Sequence, residues 1–210
     1  MSCSAGNIRT KLDMSVKAVI FDLDGTITRP FFDFDSIRTE MGLETDAGPV
    51  WEAMSQMEPG RRRRAEEILD SHERRAVRES QLNPGARETL HELRDRGIRI
   101  GVLTRNRRGN AVAVAQKHGL QFDAIVDRED GPVKPDAFGV LRLCERFGVA
   151  PQEAIVVGDY LFDLLCAKAA GAVAVLLINH HRAAKFADQA DITIERIDEV
   201  LKIVEGNNNV

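Results

Sequence analysis

Two aspartates spaced one residue apart, Asp22 and Asp24, directly follow an apolar run near the start of the chain. The run Val16–Phe21 is mostly β-branched or aromatic, which is typical of a strand buried on both faces of a parallel sheet. Period-two spacing leaves both carboxylates on one side of the strand end, and Gly25 lets the backbone turn beside them. Two like charges are costly there unless a cation such as Mg²⁺ holds them. The pattern predicts a metal-assisted site, although an isolated Asp-x-Asp-Gly is more often a solvated turn.

Polar residues also follow three later apolar runs of the chain. Those runs are predicted strands, and the residues that follow them are Thr104, Lys134 and the pair Asp159 and Asp163. Because the carboxyl ends of parallel strands converge, we expect these side chains to surround one pocket with the two N-terminal aspartates. Each has an ordinary structural interpretation when it is taken alone. Together, carboxylates, a cation and a hydroxyl supply what phosphoryl transfer needs: a nucleophile, metal ligands and neutralisation of the moving charge.

Strands alternate with helices along most of the chain. This alternation predicts right-handed βαβ units, and therefore an α/β fold with a doubly wound parallel sheet. A dinucleotide-binding version of that fold requires GxGxxG straight after the first strand. The sequence there is DLDGT instead, which argues against dinucleotide binding.

A densely charged segment without a strand-like run interrupts this alternation. Its predicted helices are Ser36–Met41, Pro49–Met57 and Arg61–Ser80, and Pro59-Gly60 is expected to punctuate the segment. We expect a small inserted helical cap, with the chain divided into a flexible tail at 1–15, an α/β core at 16–30 and 83–205, the cap at 31–82, and a tail at 206–210. The run Arg61–Arg64 would either attract an anionic substrate group or form a solvated face.

Composition argues against several other classes of protein. A formal net charge of −4 does not suit a general nucleic-acid binder, and no apolar run is long enough to span a bilayer. The three cysteines are widely spaced, without a CxxC, which argues against a disulfide framework or zinc site. The polar N-terminus does not resemble a signal peptide. We expect a cytoplasmic enzyme whose partner is a small phosphorylated metabolite, with no nucleic-acid or membrane partner and an unspecified oligomeric state.

The motifs together resemble those of the haloacid dehalogenase-like hydrolase superfamily. The resemblance rests on Asp22–Thr26 (DLDGT), Thr104, Lys134-Pro135 and Gly158-Asp159-x-x-x-Asp163, in that order. It extends from about Lys17 to Ile178 and is nearest to phosphoglycolate phosphatase-like members with a small helical cap. It implies a HAD-like core and a Mg²⁺-dependent phosphatase that works through an aspartyl-phosphate. The cap looks short for the family, and Thr104-Arg105-Asn106 departs from the commoner small residues after the threonine.

The resemblance also implies a role for each motif residue. Asp22 would attack phosphorus, and Asp24 would protonate the leaving alkoxide and then activate water. Mg²⁺ would be held by Asp22, the Asp24 carbonyl and Asp159, with Asp163 supporting these ligands.

The remaining motif residues would bind the phosphoryl group. Thr104 would donate to a phosphate oxygen, and Lys134 would hold both the nucleophile and the phosphate. Backbone N–H groups of the loop after the first strand would add further donors. The remaining candidates for phosphate or substrate contact are Gly25, Thr26, Arg105 and Asn106.

Three other functions are compatible with parts of this pattern. Carbon–halogen cleavage releases a halide that needs no proton, so the acid at Asp24 favours a phosphate ester. A phosphomutase or other phosphotransferase shares the core chemistry, and the short cap disfavours it. A non-catalytic binding protein on the same fold is disfavoured because all the acids and the lysine are present. We therefore predict a phosphoric monoester hydrolase, with the phosphotransferase as the main alternative.

Overall fold

A computed structural model describes residues 15–44 and 46–206 of the chain. Cys3 and most of both predicted terminal tails lie outside the described residues. The chain forms two compact units. One is Pro30–Ser80, and the other comprises the described residues up to Arg29 and from Gln81 onward. Among the described residues, no helix is both long and apolar enough to cross a membrane.

The larger unit is built on a six-stranded sheet in which neighbouring strands are parallel. The strands are β1 (Ala18–Phe21), β2 (Arg99–Leu103), β3 (Ala124–Val126), β4 (Ala154–Gly158), β5 (Val173–Leu177) and β6 (Ile192–Ile194). Their order is β3-β2-β1-β4-β5-β6, so the winding direction reverses between β1 and β4. Ligands of open α/β sheets bind at such a switch point, beyond the carboxyl ends of the strands. The predicted doubly wound parallel sheet is confirmed.

Eight α-helices accompany these strands in the described part of the chain. They are α1 (Phe34–Glu40), α2 (Val50–Ser55), α3 (Pro59–Glu79), α4 (Ala86–Asp95), α5 (Arg108–His118), α6 (Phe138–Phe147), α7 (Leu161–Ala170) and α8 (Val200–Gly206). Short 3₁₀ segments add Pro151–Glu153, Ala183–Gln189 and Ile197–Glu199. The first two were not predicted, because a 3₁₀ turn of this length has no helical periodicity in the sequence.

Strands β1, β4 and β5 are buried along their whole length. One core cluster packs Ile20, Val156 and Leu176 of these strands with Leu143 of α6 and Leu164 of α7. Strands covered by helices on both faces carry continuous apolar runs. The packed sheet therefore holds the carboxyl ends of its strands, and the polar residues that follow them, in fixed positions.

The smaller unit, Pro30–Ser80, has a hydrophobic cluster of its own. Helices α1, α2 and α3 contribute its buried members, Ile37, Met41, Val50, Met54, Ala65 and Leu69. Helix α1 begins at Phe34, two residues before the predicted start, because the Asp33 side chain accepts the backbone N–H groups of Asp35 and Ser36.

Helix α3 begins at Pro59, two residues before the predicted start at Arg61, so Pro59-Gly60 forms the first turn of the helix rather than preceding it. Proline needs no N–H partner in the first helical turn, and its fixed φ suits that position. The arginine run therefore lies inside the first turns of the helix. Arg61 donates to the Gly42 carbonyl at 2.6 Å, and Arg62 donates to Glu66 Oε1 at 3.0 Å.

Candidate active site

Lys134 lies between two carboxylates that follow different strands. Its Nζ donates to Asp22 Oδ1 and to Asp163 Oδ1, each at 2.6 Å, and all three side chains are buried. Burial disfavours the ammonium, but the nearby Asp163 and Asp22 carboxylates outweigh it and raise the pKa of Lys134 above its usual value. Lys134 therefore remains a cation that ties the end of β1 to the start of α7.

Asp159 joins Asp22 and Asp163 in a cluster of three buried carboxylates. One oxygen of each lies within 4.8 Å of the others. Burial raises the pKa of Asp22 well above its usual value; Lys134 opposes this rise, and Asp163 and Asp159 add to it. Burial likewise raises the pKa of Asp163. One ammonium does not neutralise three carboxylates, and oxygen ligands carrying surplus negative charge suit a hard divalent cation such as Mg²⁺.

Asp24 lies beside this cluster and has a neighbour of its own. Its Oδ2 accepts a hydrogen bond from Asn106 Nδ2 at 3.1 Å. Burial raises the pKa of Asp24, and the Asn106 hydrogen bond opposes that rise. A raised pKa suits a carboxyl group that must carry a proton during part of a reaction cycle.

The turn after β2 contains Thr104, Arg105 and Asn106. The buried hydroxyl of Thr104 accepts the Asn106 N–H at 3.0 Å, so its own proton is left to donate. Asn106, which was expected to contact phosphate or substrate, uses its side-chain amide to hold Asp24. The Arg105 guanidinium carbon lies 4.9 Å from the centroid of the Phe162 ring, a cation–π arrangement.

The loop after β1 approaches Asp159 closely. Gly25 has a φ of +101°, and a Cβ at this position would collide with Asp159 Oδ2. Glycine is therefore required by the backbone conformation and by the available space. Thr26 Oγ1 lies 3.4 Å from Asp159 Oδ1, and Asn83 Nδ2 lies 2.7 Å from the Thr26 carbonyl oxygen. These contacts hold the segment that carries Asp24.

Two residues at the end of β5, Asn179 and His180, also contact this part of the molecule. Asn179 Nδ2 donates to the Gly25 carbonyl at 2.6 Å, and His180 Nε2 lies 2.9 Å from Asp159 Oδ2. Our sequence analysis missed both residues. The signal that selected Thr104, a polar residue after a buried apolar strand, applies equally to them.

Comparison with known proteins identifies the family. Residues 16–171 match the sequence model of the haloacid dehalogenase-like hydrolases, and the chain therefore belongs to this family. An uncharacterised hydrolase of Saccharomyces cerevisiae is 29% identical over 203 residues, covering 92% of this chain and 93% of the relative. A phosphoglycolate phosphatase of Chromobacterium violaceum is 28% identical over 228 residues, covering 91% of this chain and 97% of the relative. The crystal structure of a phosphatase of this family from Thermococcus onnurineus superposes with a TM-score of 0.67 at 27% identity. The match covers 91% of this chain and 99% of that one.

Proposed function

We propose that this hydrolase is a Mg²⁺-dependent phosphatase that cleaves a small phosphomonoester through an aspartyl-phosphate on Asp22. The observation that carries the proposal is the arrangement of Lys134 between Asp22 and Asp163, with Asp159 completing the carboxylate cluster. Phosphoryl transfer depends mainly on positioning and on neutralising charge. This cluster combines a fixed nucleophile, a fixed cation and a set of metal ligands.

Asp22 is the proposed nucleophile. Lys134 holds one of its oxygens, Oδ1, by the 2.6 Å hydrogen bond, which leaves Oδ2 to attack phosphorus. Asp22, Asp159 and the Asp24 carbonyl would hold the divalent cation, with Asp163 supporting them. When it is bound, that cation neutralises charge on the carboxylates and the phosphoryl group together.

Asp24 is the proposed general acid and base. In the first step its proton passes to the alkoxide that leaves phosphorus, and in the second step its carboxylate takes a proton from the attacking water. The Asn106 amide fixes the carboxyl group by donating to Oδ2. The raised pKa of Asp24 favours the protonated form that the first step consumes.

The phosphoryl oxygens would be bound by groups on two loops. Thr104 offers a hydroxyl proton, since its oxygen already accepts the Asn106 N–H. Lys134 offers its third proton once two are used by carboxylates. Backbone N–H groups near Gly25 and Thr26 would complete the set of donors.

The Pro30–Ser80 unit is proposed as the cap that selects the leaving group. Its exposed arginines Arg63 and Arg64 suit a substrate with a second anionic group, whereas Arg61 and Arg62 bond within the unit. The Chromobacterium relative is named as a phosphoglycolate phosphatase. We therefore propose small phosphorylated carboxylic acids as the substrates to test first.

The test measures phosphate release from a panel of phosphomonoesters, with Mg²⁺ and with EDTA, for the wild-type protein and Asp22→Asn. We expect metal-dependent release that disappears in the variant. No release from any ester, with isomerisation of a sugar phosphate instead, would replace the phosphatase with a phosphomutase. Release that persists in EDTA or in the variant would contradict the proposed mechanism.

A further inference from the structure

The two ring nitrogens of His180 have different partners, and Nε2 is the one that contacts Asp159. His180 Nδ1 accepts a hydrogen bond at 3.2 Å from the backbone N–H of Ala183, which also donates to the His180 carbonyl oxygen at 3.1 Å. A ring nitrogen that accepts a hydrogen bond carries no proton, so the neutral imidazole has its proton on Nε2. That nitrogen lies 2.9 Å from Asp159 Oδ2 and therefore donates to the carboxylate.

The Asp159 carboxylate is oriented from more than one direction. The Thr26 hydroxyl approaches its Oδ1 at 3.4 Å, and His180 donates to its Oδ2. An ionised carboxylate has about four lone-pair directions, so these two contacts leave capacity on both oxygens for a cation. The bare Cα of Gly25 provides the space in which Oδ2 meets the imidazole.

The residue before His180 adds a second, separate observation. Asn179 Nδ2 donates to the Gly25 carbonyl, whereas its Oδ1 is buried and accepts no hydrogen bond from the described residues. A buried acceptor without a donor is costly. Mg²⁺ retains several of its waters when it binds to proteins, and such a water is a donor of the kind that Asn179 Oδ1 requires.

We propose that His180 is a positioning residue for the cation. Its Nε2–H fixes the rotation of the Asp159 carboxylate, so that its remaining lone pairs would be available to the ion that Asp159 would hold together with Asp22. Partners of this kind behind metal ligands typically contribute a factor of about 10 to 100 to metal affinity. The inference rests on the proposed Mg²⁺-dependent function, and His180 would act on the ion through Asp159.

Two substitutions separate this role from a purely structural one. The side-chain oxygen of His180→Asn occupies the place of Nδ1, so it retains the contact with Ala183 but does not reach Asp159. The side-chain amide of His180→Gln occupies the place of Nε2, so it retains the donor to Asp159 and loses the contact with Ala183. A structural role therefore predicts that the Asn variant is the milder one, and a positioning role predicts the reverse.

The experiment is calorimetric titration of the full chain with Mg²⁺ alone, with thermal melting as the check on folding. We expect His180→Asn to weaken Mg²⁺ binding by about 10- to 100-fold, and His180→Gln to bind as the wild type does. Asp159→Asn serves as the reference for loss of a ligand. A folded His180→Asn protein with wild-type affinity, or equal weakening in both His180 variants, would overturn the proposal.

Failure of the proposed function gives a different result. If the wild-type protein itself does not bind Mg²⁺, the cation-dependent mechanism falls and the positioning role of His180 falls with it. If the wild type and His180→Asn bind Mg²⁺ equally, only the role of His180 is lost. The two failures are therefore distinguishable in one series of titrations.

Discussion

The two compact units of this protein differ in whether their charged side chains are buried or exposed. In the larger unit, Asp22, Asp163 and Lys134 are buried and paired with one another at the edge of the sheet. In the Pro30–Ser80 unit, ion pairs such as Arg62 with Glu66 lie on an exposed helix surface. Exposed helical pairs contribute about 0.3–0.5 kcal/mol, whereas breaking a buried pair costs about 3–5 kcal/mol. Substitution of a buried charged residue that leaves its partner without a counter-charge is therefore expected to lower the free energy of unfolding much more than substitution of an exposed one.

The largest effect is expected from Asp22→Asn. Turnover should fall by a factor on the order of 10⁴ or more, because the proposed nucleophile is lost. Stability should change little, because the side-chain oxygen of the asparagine can still accept the Lys134 hydrogen bond and Lys134 keeps Asp163 as a charged partner. Initial rates and thermal melting measure both quantities.

The matched control is Asp95→Asn, an exposed aspartate at the end of α4. It makes the same chemical change away from the carboxylate cluster. Wild-type turnover in the control is expected. Substantial turnover in Asp22→Asn would show that the buried cluster does not supply the nucleophile.

The next largest effect is expected from Lys134→Met. The free energy of unfolding should fall by about 3–5 kcal/mol, because two buried carboxylates, Asp22 and Asp163, lose their ammonium partner. Arg62→Met in the smaller unit removes an exposed pair and should cost about 0.5 kcal/mol or less. Urea denaturation of both variants measures the difference, and equal losses would contradict the contrast between the units.

A core substitution in each unit tests whether their stabilities are separate. Ile37→Ala and Leu143→Ala each truncate a fully buried side chain in a different cluster, at a typical cost of about 2–5 kcal/mol. Hydrogen exchange should rise in peptides of residues 30–80 for Ile37→Ala, and in sheet peptides for Leu143→Ala. Loss of protection throughout the chain in Ile37→Ala would show that the two units unfold together.

The smallest effect is expected from the arginine run of the Pro30–Ser80 unit. Arg63→Gln with Arg64→Gln should raise KM by up to about tenfold for a phosphoester that carries a carboxylate, since an exposed charge pair contributes roughly 1 kcal/mol or less. An uncharged phosphoester should show no change. Arg62→Gln, which removes a cation already bonded within the unit, is the control. Equal KM changes for both esters would remove the proposed role of Arg63 and Arg64.

The class of fold and the place where the polar residues cluster follow from the amino-acid sequence alone. Val16–Phe21 predicts a buried strand because a covered parallel strand needs apolar residues on both faces. Polar residues that directly follow such strands must come to one edge of the sheet. The same reasoning places Asn179 and His180, which follow the buried strand β5, at this edge of the sheet.

Which of those side chains contact one another depends on the tertiary structure. Asn106 donates to Asp24, and His180 contacts Asp159. Such contacts join loops that are distant in sequence, so neither periodicity nor local propensity encodes them. They depend on how closely the helices pack on the sheet, because that packing sets the positions of the loops. A hydrogen bond forms only when the loops place donor and acceptor about 3 Å apart.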